Sequence, residues 1–229
     1  MTEEKIKLAI FDFDGTLTSG HLWLGIAKHH SQKRVKRRSL ALYIFSHMPY
    51  WIAVKLRLYS EEKNRSRWGE GLSVLFKGFK TDEAQKAFEW VTDHYFMPLM
   101  RPDVMKVLQG HKDNDHKVML LSGMFTDFLQ IVGQRIGADY VVGTRLEIAQ
   151  NIYTGRIIQP LCFGENKARL LKEFIQQNQL NVDFSGSAAY ADSFYDLPVF
   201  KLVGHPVATY ADTELGKLAN QEGWERIGE

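Results

Sequence analysis

The stretch Leu8-Ala9-Ile10-Phe11-Asp12-Phe13-Asp14-Gly15-Thr16-Leu17-Thr18 constrains the fold more than any other. The apolar run from Ile6 to Phe11 reads as a buried strand. It stops at two aspartates one residue apart, followed by an Asp-Gly turn signal. In an extended chain residues i and i+2 point the same way, so Asp12 and Asp14 are expected to converge where the strand ends. Carboxylates held together repel unless a cation lies between them or one is protonated. A hard divalent cation with oxygen ligands, Mg2+, suits such a pair. The plain alternative is a turn, because Asp-Gly after a strand is common. An EF-hand loop also opens Asp-x-Asp, but here the glycine comes too early and Trp23 stands where the closing glutamate would be.

Helical patterning dominates from Thr18 to Pro98. His21 to His30 has helical spacing. A basic cluster follows, Lys33, Arg34, Lys36, Arg37 and Arg38, and then an apolar and aromatic run from Leu40 to Val54, closed by Lys55 and Arg57. Pro49 is expected to end or kink a helix there. Thr81-Asp82-Glu83 marks another helix start. From Pro102 the pattern alternates: helix to His111, strand Lys117 to Leu121 ending in Ser122-Gly123, helix Asp127 to Ile136, strand Ala138 to Gly143. A hairpin is expected within Leu146 to Ile158, a helix over Gly164 to Gln177 and a small-residue strand from Ser187 to Ala191 ending in Asp192. A short helix begins at Asp196, Leu202 to Ala208 reads as the last strand and Thr213 to Gln221 as the last helix. Strands alternating with helices specify an α/β fold, a Rossmann-like parallel sheet with helices on both faces. The expected division is a catalytic core of residues 1–17 and 99–229, with residues 18–98 inserted after the first strand as a helical cap. Ligands of such sheets sit at the carboxyl ends of the strands, where Asp12, Asp14, Ser122 and Asp192 all fall.

Composition narrows the class. The 229 residues are 45% hydrophobic and 24% charged, as in globular proteins. A net charge of +2 gives no argument for nucleic acid as a partner. One cysteine, Cys162, excludes an internal disulfide framework and fits a reducing, cytoplasmic setting. Met1 to Lys5 is acidic without an apolar core, so no signal peptide is expected, and no apolar stretch is long enough to span a bilayer. Cys162 is expected to be an inert small residue.

A metal, a carboxylate nucleophile, a hydroxyl, a lysine and further carboxylates suit phosphoryl transfer, which needs charge neutralised on three oxygens and reactants held in line. One aspartate can take the phosphoryl group as an aspartyl-phosphate. A second can protonate the leaving alcohol and later deprotonate water. Ser122 and the amide of Gly123 suit phosphate oxygens. Lys167, in the first turn of its helix, supplies a point charge. Asp192 completes a metal shell, and Asp196 can hold a metal-bound water or orient Lys167.

These residues form four motifs in one order: Asp12-Phe13-Asp14-Gly15-Thr16, Leu121-Ser122-Gly123, Gly164-Glu165-Asn166-Lys167, and Ala191-Asp192-Ser193-Phe194-Tyr195-Asp196-Leu197-Pro198. In this the chain resembles the haloacid dehalogenase superfamily of phosphatases, in its phosphoserine-phosphatase-like branch, over nearly its whole length. The resemblance implies Asp12 as nucleophile, Asp14 as general acid/base, and Mg2+ held by the Asp12 carboxylate, the Asp14 carbonyl and Asp192. It implies a small-molecule phosphomonoester as substrate. The chain departs from the family pattern at Ala191, usually glycine, and at Tyr195, often asparagine. His21 stands where phosphoserine phosphatases carry a substrate-contacting glutamate, and Arg65 and Arg67 lie out of register with their substrate-binding arginine. These departures count against phosphoserine itself.

His21 has two readings, a substrate contact or an ordinary helix-start histidine. His29 and His30 are expected to be solvated. The basic cluster and the residues Leu40, Tyr43, Ile44, Phe45, Tyr50 and Trp51 also have two. In the favoured one the aromatic stripe is the cap's own core and the charges face water. In the other, the segment is an interfacial helix on an anionic membrane, and the substrate is a lipid phosphate such as phosphatidylglycerophosphate. A non-catalytic phosphate-binding module and phosphotransfer to an acceptor other than water complete the alternatives.

Overall fold

The computed structural model describes residues 5–228, so all of the acidic opening except Lys5 lies outside the described residues. The chain runs β1 (Leu8–Phe11), α1 (Leu22–Gln32), α2 (Arg37–Lys55), α3 (Glu61–Gly71), α4 (Thr81–Val91), α5 (Pro102–Asp113), β2 (Lys117–Phe125), α6 (Thr126–Ile136), β3 (Tyr140–Ala149), β4 (Ile152–Ile158), α7 (Glu165–Gln177), β5 (Ala188–Ala191), α8 (Leu197–Phe200), β6 (His205–Thr209), α9 (Thr213–Glu222) and β7 (Glu225–Ile227). The strands form one sheet in the order β4-β3-β2-β1-β5-β6-β7. Only the β3–β4 pairing in it is antiparallel.

β1 is central, between β2 and β5, and all four of its residues are buried. That burial on both faces is why it reads as an unbroken apolar run rather than an alternating one. Its alternate residues supply two cores. Ala9 and Phe11 face the helical segment between β1 and β2, together with α5 and α6. Leu8 and Ile10 face α7, α8 and α9. Helices therefore cover both faces, as expected.

The long helical segment leaves and rejoins the sheet through adjacent chain stretches. The Ser19 amide donates to the Leu99 carbonyl at 3.2 Å and the Arg101 amide to the Leu17 carbonyl at 2.8 Å. It is also joined to the sheet through a shared aromatic core. Phe76, Phe88 and Phe96 are fully buried with Phe125 and Phe128, and the Phe76–Phe88 and Phe96–Phe128 ring centroids are 4.5 and 5.2 Å apart. The β3–β4 hairpin reaches across, with the Gly78 amide donating to the Tyr153 carbonyl and the Tyr153 amide to the Phe79 carbonyl. Truncating one such phenylalanine costs about 3–5 kcal/mol.

Several local expectations are corrected. α2 runs through Pro49 instead of ending there. Pro49 lacks the amide that would bond the Phe45 carbonyl, but both residues are exposed, so water can take that carbonyl. β2 continues through Ser122 and Gly123 with a register shift between Leu121 and Phe125. The hairpin expected within Leu146 to Ile158 is β3–β4, and it turns at Gln150 and Asn151, both in the left-handed region. The sixth strand begins only at His205, because the Leu202 and Val203 amides still return to the Val199 and Phe200 carbonyls of the preceding turn. Beyond the expected last helix, β7 adds an edge strand. Its three residues are too few for a sequence period to register.

The basic-aromatic run divides between the two readings. Tyr43 is buried and Leu40 and Ile44 pack on the core, but Phe45 is 74% exposed and Trp51 45%. The stripe is core on one side of α2 only. His29 and His30 are not solvated; both are buried. α4 packs on α1, and Trp90 lies against the His29 ring. The Leu75 carbonyl accepts from His30 Nε2 at 3.2 Å, so that nitrogen carries the proton and Nδ1 is an acceptor. His29 Nδ1, 3.0 Å away, must then be the donor. A second proton on His30 would set two N–H groups against each other.

Burial accordingly holds His30 down at about 4. Above pH 6.5 the residue is neutral whether folded or unfolded. Between 6.5 and about 4 the unfolded chain binds a proton that the native state refuses, so stability falls as pH falls. The gap corresponds to about 3 kcal/mol. We expect His30→Gln, which keeps a donor for Leu75, to lower stability at pH 7 but to flatten its decline between pH 6.5 and 4.5. Urea unfolding at the two pH values checks this; an unchanged slope would refute it.

Candidate active site

The chain turns sharply after β1. The Asp12 amide donates to the Tyr190 carbonyl, keeping the strand's direction, and the Leu17 and Thr18 amides both return to the Phe13 carbonyl. Phe13 is driven into the core against Phe96 and Phe128, which fixes the loop from below. Gly15 lies at φ +88°, and a Cβ there would sit 2.3 Å from an Asp192 carboxylate oxygen. Only glycine lets this loop and the end of β5 approach so closely.

Four chain segments meet at this edge of the sheet. Asp12 comes from the end of β1, and Asp192 from the residue after β5. Asp196 closes a 3-10 turn, Phe194–Asp196, that the Ser193 hydroxyl caps by accepting from the Tyr195 amide. Lys167 comes from the first turn of α7. Its Nζ donates to Asp12 Oδ1 at 2.7 Å and to Asp196 Oδ1 at 2.5 Å. All three side chains are buried, each at most 8% exposed. Oxygens of Asp12, Asp192 and Asp196 lie within 4.8 Å of one another.

The electrostatics follow from this crowding. Burial works against the Lys167 ammonium, but the Asp12 and Asp196 carboxylates outweigh it and hold its pKa above the ordinary lysine value. Asp192 is pushed up to about 8 by burial and by the Asp12 and Asp196 charges. Asp196 is raised to about 6, by burial first, with Lys167 acting in the opposite direction. One ammonium thus touches a group of three carboxylates, leaving two negative charges unbalanced when all are ionised. All-oxygen donors in excess negative charge are what a hard divalent cation takes, so this group fits Mg2+.

Asp14 converges with Asp12 on one cavity, and burial and then the Asp12 charge raise its pKa. Its carboxylate is not part of the three-acid group and instead bonds His21 Nδ1 at 2.8 Å. The backbone turns at Phe13, and Asp14 bridges to Thr18 instead of continuing β1. Burial raises the Asp14 pKa, against the lowering by its His21 hydrogen bond. That hydrogen bond in turn raises His21, against its burial.

Asp12, Asp14, His21, Ser122, Gly123, Lys167, Asp192 and Asp196 all line one cavity of about 800 Å3. Every residue singled out in the sequence for this site therefore reaches it. Its upper wall is mainly apolar, formed by Trp23, Tyr43, Ile44, Trp51, Trp68 and Leu161 among others. Arg65 lines it as well, and its guanidinium lies 5.6 Å from the Tyr195 ring centroid. Arg67 instead stacks on Tyr50 at 4.0 Å. Family register hid the role of Arg65, but a signal was present. Ser60 caps α3, and Asn64, Trp68 and Leu72 repeat at four-residue spacing on one face, with Arg65 beside it. Tyr195, where asparagine was the family norm, packs on Phe163 with centroids 4.9 Å apart. Cys162 is buried, and burial pushes its thiol up to about 12, in keeping with an inert residue.

The family model of haloacid dehalogenase-like hydrolases matches residues 9–201. Phosphoserine phosphatase SerB1 of Mycobacterium tuberculosis is 26% identical over 222 residues, 95% of this chain and 69% of that protein. A Bordetella pertussis protein of unknown function superposes with a TM-score of 0.80 at 19% identity, covering 98% of this chain and 99% of the other. A phosphoserine phosphatase solved as a phospho-aspartyl intermediate analogue gives 0.65 at 18% identity, over 99% and 95% of the two chains.

Removing the buried ammonium leaves three carboxylates facing one another. Lys167→Met is expected to cost about 3–5 kcal/mol, seen as a lower urea midpoint in chelator. Millimolar Mg2+ should recover part of that loss by binding the native state. An unchanged midpoint in chelator would show that Lys167 does not hold the cluster together.

Proposed function

Because the chain belongs to the haloacid dehalogenase-like hydrolases, we propose that it is a Mg2+-dependent phosphatase that cleaves a phosphomonoester through an aspartyl-phosphate on Asp12. Its enzyme class is that of the phosphoric monoester hydrolases. The observation that carries the reading is the Lys167 bridge between Asp12 and Asp196 beside Asp192, in the wall of the cavity. The solved phospho-aspartyl analogue of a protein with the same fold supports the covalent step.

In this reading each side chain has one task. The Asp12 carboxylate attacks phosphorus, oriented by its contact with Lys167. Asp14, whose burial favours the protonated form, gives its proton to the leaving oxygen and later takes one from water. His21, bonded to Asp14, positions that carboxyl. Ser122, the Gly123 amide and Lys167 receive phosphoryl oxygens. Asp12, the Asp14 carbonyl and Asp192 would hold Mg2+, with Asp196 steering Lys167. Bound there, the cation neutralises phosphoryl charge and orients the group for in-line attack. We also propose residues 18–98 as the cap over a core of 1–17 and 99–229; the paired crossing at Ser19–Leu99 and Leu17–Arg101 supports those limits.

Aryl phosphate hydrolysis tests the reaction. Asp12→Asn is expected to lose at least ~10^3-fold in kcat, as does chelation, the latter reversed by added Mg2+. Undiminished turnover in the variant would refute the assignment.

The apolar wall favours a second reading over a short zwitterion such as phosphoserine: the alcohol carries an apolar body, as in a lipid phosphate. For a series of primary alkyl phosphates, kcat/KM should rise about fourfold per methylene until the cavity fills, from about 0.8 kcal/mol per buried CH2. A flat series would favour a small polar substrate.

A further inference from the structure

Between Gly15 and Ser60 the sequence has eight lysines and arginines and no aspartate or glutamate, although the whole chain carries a net charge of only +2. α2 lies in the middle of this acid-free segment. From Ser39 to Val54 it has no charged residue except as His47, which is buried. A helix that is apolar all round belongs in an interior. Here one side faces the protein through Tyr43 and His47, and the other faces outward. On the outward side Leu42, Phe45, Ile52 and Leu56 are 70%, 74%, 46% and 63% exposed. Soluble proteins rarely leave so continuous an apolar row uncovered.

We propose that this outward face of α2 docks on the surface of an anionic bilayer. The charges are set where such a surface needs them. Lys33, Arg34, Arg37 and Arg38 flank one end of the apolar row, and Lys55 and Arg57 the other, while Lys36 turns inward to the Lys77 carbonyl. Lys55 lies over the Trp51 ring at 4.0 Å, an aromatic and a cation together at the rim. A helix with basic ends and an apolar outer row lies in the headgroup plane, and no helix among the described residues is long and apolar enough to cross a membrane. A second copy of the chain fits this face poorly. Two-fold pairing through α2 would bring two sets of basic ends together with no acid in the segment to offset them. Met48 and Trp51 belong both to this exposed region and to the cavity lining, so the docked face is continuous with the cavity. The docking does not depend on the catalytic reading, since it is measured without turnover.

Sedimentation of the intact protein with vesicles tests it, using phosphatidylcholine alone and phosphatidylcholine with about one-third phosphatidylglycerol. Binding is expected on the anionic vesicles, at least tenfold weaker on neutral ones and weakened again at 0.5 M salt. Phe45→Ser with Ile52→Ser should cut anionic-vesicle binding at least tenfold, with the urea midpoint and aryl phosphate turnover retained. Arg37→Glu with Arg38→Glu, a charge change outside the apolar row, should also cut anionic-vesicle binding at least tenfold. Equal binding to both vesicles, binding unaffected by either double variant, or no binding at all would overturn the proposal. So would dimerisation in ultracentrifugation that the Phe45/Ile52 variant abolishes, since the occupant would then be a second copy.

Discussion

The Lys167 ammonium sits against Asp12 and Asp196, out of reach of water, and the geometry of the whole site depends on it. Acids from the end of β1 and from the turn before α8 are far apart in the chain. They share a buried spot only because a cation from the start of α7 lies between them. Buried ion groups are poor sources of net stability, since the desolvation of each charge offsets much of the attraction. Their value lies in position: each partner is strongly destabilised if it moves away from the others. A parallel sheet with β1 at its centre puts the strand ends side by side, and the Lys167 contact then sets the carboxylates to within ångströms.

The segment above this edge is built as a continuation of the core. Phe76, Phe88 and Phe96 interlock with Phe125 and Phe128 of the sheet side, and the β3–β4 hairpin bonds to the chain at Gly78 and Phe79. Any motion that lifted the whole helical segment would have to break that aromatic packing. The part facing the cavity is different. α2 and α3 contact each other and rest on the rest of the protein through few large side chains, chiefly Tyr43, His47 and Trp68. Tyr43 donates to the Trp68 carbonyl, and His47 bonds the Tyr43 and Arg67 carbonyls. A hydrogen-bonded aromatic cluster thus joins α2 to α3 beside the cavity, while α4 packs on α1 and α6.

How much of this could be read from the chain depended on the range of the interaction involved. The parallel sheet, the helical insertion and the convergence of Asp12, Ser122, Lys167 and Asp192 follow from short periodic runs and from the rule that strand ends face the ligand. β7 did not announce itself because three residues give no period. The Asp14–His21 bond was not legible, because it joins a residue of the loop after β1 to the residue before α1 and depends on how the chain between them turns. His29 and His30 looked solvated because a histidine pair next to a lysine resembles surface. Their burial is set by Leu75 and Trp90, both more than forty residues away. The same holds for α2: its pattern shows that it is apolar, but only the packing of α1 and α3 decides which side is covered.

The charge distribution links the site to the segment above it. A group of three carboxylates repels a phosphate dianion, and the neutral-to-negative floor of the cavity cannot by itself draw a substrate in. None of the eight lysines and arginines between Gly15 and Ser60 lines the cavity. Arg65 supplies positive charge at its wall, acting on both Asp14 and Asp196. An anion in the cavity would have Arg65 at its wall and Lys167 among the carboxylates, where a bound divalent cation would reverse the local sign. Strand ends bring the three acids together, and the insertion after β1 sets Arg65 over the same cavity.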